Sequence, residues 1–209
     1  MARYTGPVCK LCRRERIKLF LKGERCNTGK CSITRRKNAP GAKAVPMRKK
    51  QSNYGIQLRE KQKLKRIYGV LEKQFKIYFM KAEKQKGITG NNLLIFLERR
   101  LDNIVYHLNW AASRSQARQL VKHGLLIVNN KRVNIPSFLA KSGDEIKIKE
   151  NSNIDKLVKD SVKSRGQKSI PSWLVVDNKR ISAKVLRFPE REDISIPINE
   201  QLVVELYSR

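Results

Sequence analysis

The chain has 209 residues, 40% of them hydrophobic, and carries 47 Lys and Arg against 18 Asp and Glu, a formal net charge of +29. Such a length holds one or two compact units, the apolar share excludes a wholly disordered basic tail, and the self-repulsion of the charge asks for a polyanionic partner. No apolar run approaches the roughly 20 residues of a spanning helix, and no signal-peptide core follows Met1, so a cytoplasmic protein with nucleic acid as its partner and no membrane is expected.

The charge is uneven: residues 1–50 hold 16 basic and 2 acidic side chains, whereas residues 151–209 hold 11 and 8. All four cysteines fall in the basic end, as Cys9-x2-Cys12 and Cys26-x4-Cys31. Two short-spaced thiol pairs across a thirteen-residue loop can close on one tetrahedral zinc ion, each pair supplying two adjacent corners. The spacing therefore predicts a structural Zn2+ on Cys9, Cys12, Cys26 and Cys31, with Lys10, Arg13, Arg14 and Lys30 offsetting the thiolate charge. Two disulfides or reactive thiols are the alternative; catalytic zinc is disfavoured because His107 and His123 lie far along the chain.

From Ser32 to Lys50, Arg35, Arg36, Lys37, Lys43, Arg48, Lys49 and Lys50 with Pro40-Gly41 and Pro46 read as an extended basic strap, or else a solvated linker. A helix follows from Ser52, with Tyr54, Leu58, Leu64, Ile67 and Tyr68 on one face, Arg59, Lys61, Lys63, Lys65 and Arg66 on the other, and Gly69 as its stop. Leu71, Phe75, Tyr78, Phe79 and Ala82 predict a second, closed by Gly87 after a lysine-rich turn; its aromatics read as core, with base stacking the alternative.

Thr89 can cap a third helix whose apolar face runs unbroken through Leu93, Leu97, Leu101, Ile104, Val105 and Leu108. Ser113-x-x-Gln116 is a capping box, Ala117, Leu120 and Val121 an inner face, and Gly124 a left-handed stop. Arg114, Arg118 and Lys122 stand at i,i+4 steps, which predicts an outer ridge suited to phosphates; a solvated face is the alternative. On this reading Arg118→Ala weakens RNA binding with little loss of stability. Leu125–Val128, Asn129-Asn130 and Lys131–Ile135 predict a hairpin, since Asn tolerates the tight primed turn. Ile146 and Ile148 predict a third strand, Ile154, Leu157, Val158 and Val162 a helix, and Trp173–Asp177 with Lys184–Phe188 two more strands. The segment from Glu190 to Tyr207 has five acids and one base and suits intrachain packing or a protein partner, its end being a short helix or an edge strand.

The order of Met1-Ala2-Arg3-Tyr4-Thr5-Gly6-Pro7, Leu19-Phe20-Leu21-Lys22-Gly23-Glu24-Arg25-Cys26, Tyr54-Gly55-Ile56-Gln57-Leu58-Arg59-Glu60-Lys61-Gln62, Leu101-Asp102-Asn103-Ile104-Val105-Tyr106, Ser115-Gln116-Ala117-Arg118-Gln119-Leu120-Val121 and Asn199-Glu200-Gln201-Leu202 resembles the bacterial small-ribosomal-subunit protein four family, in its zinc-binding, four-cysteine form, over nearly the whole chain. The resemblance implies a structural protein that binds small-subunit ribosomal RNA as a primary binder, nucleates assembly of the subunit body and borders the messenger entry. It further implies contact with small-subunit protein five, a shared effect with protein twelve on decoding accuracy, and in some members repression of their own messenger RNA. Arg16 replaces the usual glycine after the cysteine run, Pro40-Gly41-Ala42-Lys43-Ala44 replaces Pro-Gly-x-His-Gly, and Asn130 replaces the hairpin glycine.

The expected fold is α+β: an N-terminal zinc arm, a mainly helical domain, and an inserted helix-turn-helix plus small β-sheet RNA-binding module. Residues 1–50 form the zinc knuckle and strap, 51–96 the helical domain completed by 195–209, and 97–194 the module with a C-terminal extension. The candidate RNA contacts are Arg3, Arg13, Arg14, Arg35, Arg36, Lys49, Lys50, Arg59, Lys61, Lys63, Arg66, Arg114, Arg118, Lys122 and Arg132. No phosphate-cradling glycine loop or activated nucleophile is visible, so neither catalysis nor a small-molecule substrate is expected; an RNA-modifying enzyme with a similar module and a DNA compactor are the rival readings.

Overall fold

The computed structural model describes residues 3–36, 38–41, 52–149, 152–165, 170–177 and 181–208. In chain order the elements are α1 Val8–Glu15, a 3-10 turn Gly23–Cys26, α2 Ser32–Arg35, α3 Asn53–Ile67, α4 Glu72–Glu83, α5 Thr89–Glu98, α6 Leu101–His107, α7 Arg114–Lys122, β1 Leu126–Val128, β2 Lys131–Val133, β3 Glu145–Ile148, α8 Ser152–Arg165, β4 Leu174–Asp177, β5 Ser182–Val185 and α9 Glu200–Tyr207. They form two compact units, Met1–Leu93 with Ile196–Arg209, and Leu94–Ser195.

In the first unit α3 starts where the Ser52 hydroxyl accepts a bond from the Gly55 N–H at 3.2 Å and stops at Gly69, whose φ of +62° ends the helix. The periodicity of α4 is met at Phe75, Tyr78, Phe79 and Ala82, all buried on one face, whereas Leu71 precedes the helix as its N-cap and is exposed. Asn92 closes the far end of α4, its side-chain amide donating to the carbonyls of Ala82, Gln85 and Lys86 at 3.2–3.3 Å. The C-terminal segment becomes the helix α9, capped by Asn199 and burying Val203 completely. Tyr207 stacks on Phe79 with ring centroids 4.4 Å apart, so residues from the end of the chain complete the core of its beginning.

The cysteines require a correction. They are free, and no group of three or more His, Cys, Asp or Glu side chains among the described residues is placed to hold a metal ion. The arm is therefore not a zinc arm. Cys12, Cys26 and Cys31 are each only 7% exposed, buried as small apolar side chains. Burial pushes the Cys12 thiol up, against a backbone hydrogen bond from Leu19 and with Cys26, Cys9 and Cys31 reinforcing the rise. Spacing permits four thiols to converge on an ion; it does not fix where burial aims them.

A second correction concerns the long third helix. It is two helices, α5 and α6, broken at Arg100, whose φ of −65° and ψ of 135° are extended. Arg100 pairs as an isolated β-bridge with Leu139, and the N–H of Leu101 donates to the Phe138 carbonyl at 2.9 Å. The partner segment lies some forty residues downstream in the chain, which local apolar spacing cannot register.

The second unit packs α6 and α7 against one antiparallel five-stranded sheet, in the order β2-β1-β3-β5-β4. Leu126, Val128, Ile146, Ile148 and Val185 point into a core shared with Leu101, Ile104, Val105, Trp110, Val121 and Trp173. The β1–β2 turn takes φ of +47° and +62° at Asn129 and Asn130, the primed geometry expected of that pair.

Candidate nucleic-acid interface

Helix α7 begins as a capping box: the Ser113 hydroxyl accepts from the Gln116 N–H at 3.3 Å. The returning bond goes one residue further back, from the Ala112 N–H to Gln116 Oε1 at 2.8 Å. The helix ends at Gly124, with φ of +67°, and Arg132 from β2 covers this end. Its Nε donates to the Gly124 carbonyl at 2.9 Å and its Nη2 to the His123 carbonyl at 3.1 Å, a cation placed on the negative end of the helix dipole.

The expected ridge of Arg114, Arg118 and Lys122 is not uniformly outward. Arg118 is buried, with Nη1 3.6 Å from Asp102 Oδ2. Asp102 is also held by Arg100, whose Nε and Nη2 donate to its two oxygens at 3.0 and 2.6 Å, a bidentate fork with both partners buried. Arg114 donates from Nε to Asn103 Oδ1 at 2.8 Å and lies 4.3 Å over the Tyr106 ring. Asn103 in turn donates to Glu98 Oε2 at 2.6 Å, and His107 Nε2 sits 2.8 Å from that same oxygen. Only Lys122, with Ser115, Gln119 and His123, is exposed along the outer side of α7. The i,i+4 spacing was legible, but not that the two arginines meet polar groups of α6.

In the first unit Arg59 and Arg66 both pair with Glu15 of α1, the Arg59 distance being 3.2 Å. The Glu15 side chain is fully buried; burial pushes its carboxyl up, with Arg66 and Arg59 pulling the other way, and burial also lowers Arg66. Lys63 pairs with Glu60. Lys61 and Lys65 donate to Glu72 at 2.7 and 2.8 Å, and the Tyr207 hydroxyl donates to Glu72 Oε1 at 3.0 Å. Burial alone would raise the Glu72 carboxyl; the bonds from Lys61, Lys65 and Tyr207 outweigh it and hold the group at about 2, while burial and Glu72 push the Tyr207 hydroxyl up.

Arg13 donates to the carbonyls of Asn38 and Ala39 at 2.9 and 3.5 Å, fastening α1 to the segment after α2. Arg3, Arg14, Arg35 and Arg36 are exposed or partly so. The rest of the strap, including Lys43, Arg48, Lys49 and Lys50, lies outside the described residues, as does Lys37. Lys73, Lys76, Lys81 and Lys84 are absent from the sequence-derived candidates, yet all are exposed on α4 and the residue that follows it. The signal that finds them is their three- and four-residue spacing opposite Phe75, Tyr78, Phe79 and Ala82.

No helix among the described residues is long and apolar enough to cross a membrane. A cationic helical unit joined to a basic helix packed on a small antiparallel sheet describes a nucleic-acid-binding class of protein. Two family models match in tandem: the Ribosomal protein S4/S9 N-terminal domain over residues 3–98 and the S4 domain over residues 99–146.

Relatives match along the entire length of both chains. The small ribosomal subunit protein uS4 of Natranaerobius thermophilus is 54% identical over 209 residues, that of Desulforamulus reducens 56% and that of Desulfitobacterium hafniense (strain DSM 10664 / DCB-2) 55%. The chain belongs to the small ribosomal subunit protein uS4 family. The resemblance to its zinc-binding form is corrected by the same cysteine geometry that removes the zinc arm.

Proposed function

We propose that this chain is a structural, rRNA-binding protein of the small ribosomal subunit, acting in the cytoplasm and performing no bond chemistry. Full-length identity above one half to uS4 chains is the observation that carries this reading. Electrostatics supports it. A net charge of +29 is costly to an isolated surface and is relieved by a phosphate backbone.

The cations divide by role. Arg3, Arg14, Arg35, Arg36 and Lys122 reach solvent and are suited to direct phosphate contact, and by sequence alone Lys49 and Lys50 are further candidates. Arg13, Arg59, Lys61, Lys63, Arg66, Arg114, Arg118 and Arg132 hold intrachain partners and present their elements to RNA, with further phosphate contact open to their exposed edges. In this reading residues 1–50 are an RNA-contacting arm and strap, 51–96 with 195–209 a helical domain, and 97–194 the helix-turn-helix and sheet module with its C-terminal extension.

Family membership further supports nucleation of the subunit body, contact with small-subunit protein five, a contribution with protein twelve to accuracy, and binding to the chain's own messenger RNA. The acidic stretch after Phe188 is the segment suited to a protein neighbour.

The test is competition binding of the full chain to small-subunit rRNA against duplex DNA at matched salt. The rRNA complex is expected to prevail, and its affinity to fall by orders of magnitude from low to moderate salt. Equal affinity for both nucleic acids, or association insensitive to salt, overturns the proposal.

A further inference from the structure

The fold commits many of its cations to intrachain carboxylates and carbonyls, and the outer face of α4 is an exception. At 100° per residue, Lys76, Met80, Lys73, Lys84, Ile77 and Lys81 fall in that order across one continuous face. Every one of these six is exposed, Ile77 at 40% and Met80 at 48%. The opposite face is the buried stripe of Phe75, Tyr78, Phe79 and Ala82, so the helix cannot roll to hide the lysines. Among the described residues none of the four lysines has a carboxylate within ion-pair distance. The acid nearest in sequence to Lys73, Glu72, is taken by Lys61 and Lys65.

Four like charges on one face within three turns repel one another. Propensity does not require them, since Gln and Ala are as good or better helix formers. Their stems surround two aliphatic side chains, giving a strip about 16 Å long by helical rise, with Ile77 and Met80 in the middle of its length, Lys76 and Lys81 at its two edges and Lys73 and Lys84 at its ends. This pattern suits the wide, shallow groove of an RNA duplex, with ammonium groups on the phosphates and aliphatics over the sugars.

We infer that the outer face of α4, with Lys73, Lys76, Lys81 and Lys84 around Ile77 and Met80, is an RNA-docking ridge separate from α7. The ridge rests on the proposed rRNA-binding function and names a binding surface for it. A protein partner is the competing occupant. It is disfavoured because four lysines around two aliphatic side chains make a highly charged patch, whereas the cores of protein interfaces are depleted in charge and in lysine.

The test uses the full chain with small-subunit rRNA and the quadruple variant Lys73→Ala, Lys76→Ala, Lys81→Ala, Lys84→Ala, all at exposed helix positions. The variant is expected to bind at least tenfold more weakly at moderate salt and to show a shallower dependence of log affinity on log salt, by roughly 0.7–0.9 for each phosphate that is no longer neutralised. In the wild-type complex the same lysines are expected to be shielded from an amine-acylating reagent, read by mass spectrometry, a measurement that needs no variant to fold. If wild-type protein binds rRNA with steep salt dependence while the variant keeps both affinity and slope, or the lysines acylate equally with and without RNA, the ridge is overturned and the broader function stands. If the wild type itself shows no salt-dependent binding, the broader function fails. A pair of changes Ile77→Ser and Met80→Ser that leaves RNA affinity intact but blocks incorporation of the chain into the subunit would assign the face to a protein and overturn the inference.

Discussion

Arg118 lies with Nη1 3.6 Å from Asp102 Oδ2, so the middle cation of α7 faces α6 and not solvent. Asp102 keeps its bidentate partner Arg100 when Arg118 is removed, which limits the damage to part of a buried charged network. Arg118→Ala is therefore expected to cost about 2 kcal/mol. Denaturant unfolding measures this directly, and an unchanged midpoint contradicts the buried role. The loss of stability reverses the expectation that spacing alone gives for this variant.

Glu72 supplies a pH dependence whose sign is fixed by its depressed titration. Its carboxyl is held at about 2 against an ordinary 4.5, so folding stabilises the charged form. That contribution is fully present above the ordinary value and is lost as pH falls from about 4.5 toward 2. Because the group is nearly half exposed, solvent screening reduces the energy it contributes. Glu72→Gln is expected to flatten the dependence of the thermal midpoint on pH in this window, with little change in the rest of the curve.

Tyr207→Phe keeps the stack on Phe79 and removes only the hydroxyl that donates to Glu72. The expected cost is about 1 kcal/mol. Combined with Glu72→Ala, which removes the acceptor, the two losses should be less than additive, because either change removes the same hydrogen bond. A double-mutant cycle that sums to full additivity separates the two residues.

Gly124→Ala should be costly for two reasons that act at one atom. A side chain at φ of +67° is disfavoured by about 1–2 kcal/mol. The new Cβ would also overlap the Arg132 guanidinium, which must then leave the end of α7. A second change, Arg132→Ala in the glycine background, isolates the cap. It should cost less than Gly124→Ala, as read by equilibrium unfolding.

Arg16→Gly is expected to stabilise the chain. Arg16 ends α1 with φ of 59°, in the left-handed region where an arginine is strained and glycine is not. The gain should be up to about 1 kcal/mol after the larger chain entropy of glycine is subtracted. A lowered thermal midpoint would show that the Arg16 side chain contributes more than its backbone loses.

Much of the architecture was legible because its signals are local. The stripe of Phe75, Tyr78, Phe79 and Ala82 declares its helix, Ser113 and Gly124 bracket α7, and Asn129-Asn130 carries the turn. Local signals fail where a distant segment completes the chemistry. Arg100 separates α5 from α6 because Phe138 and Leu139 take up the backbone groups around it, and nothing within the helix spacing marks that break. The cysteine spacing is likewise local, whereas metal binding needs three-dimensional convergence of deprotonated thiols.

By itself the sequence determined the charge, the apolar periods, the caps and the polyanionic partner they call for, since each depends on residue type and near spacing. Tertiary structure decided which cations remain available. Arg59, Arg66 and Arg118 are drawn to Glu15 and Asp102 because a buried carboxylate must find a counter-charge, and only packing determines which carboxylates are buried. Lys73, Lys76, Lys81 and Lys84 stay outside because the four side chains opposite them are committed to the core.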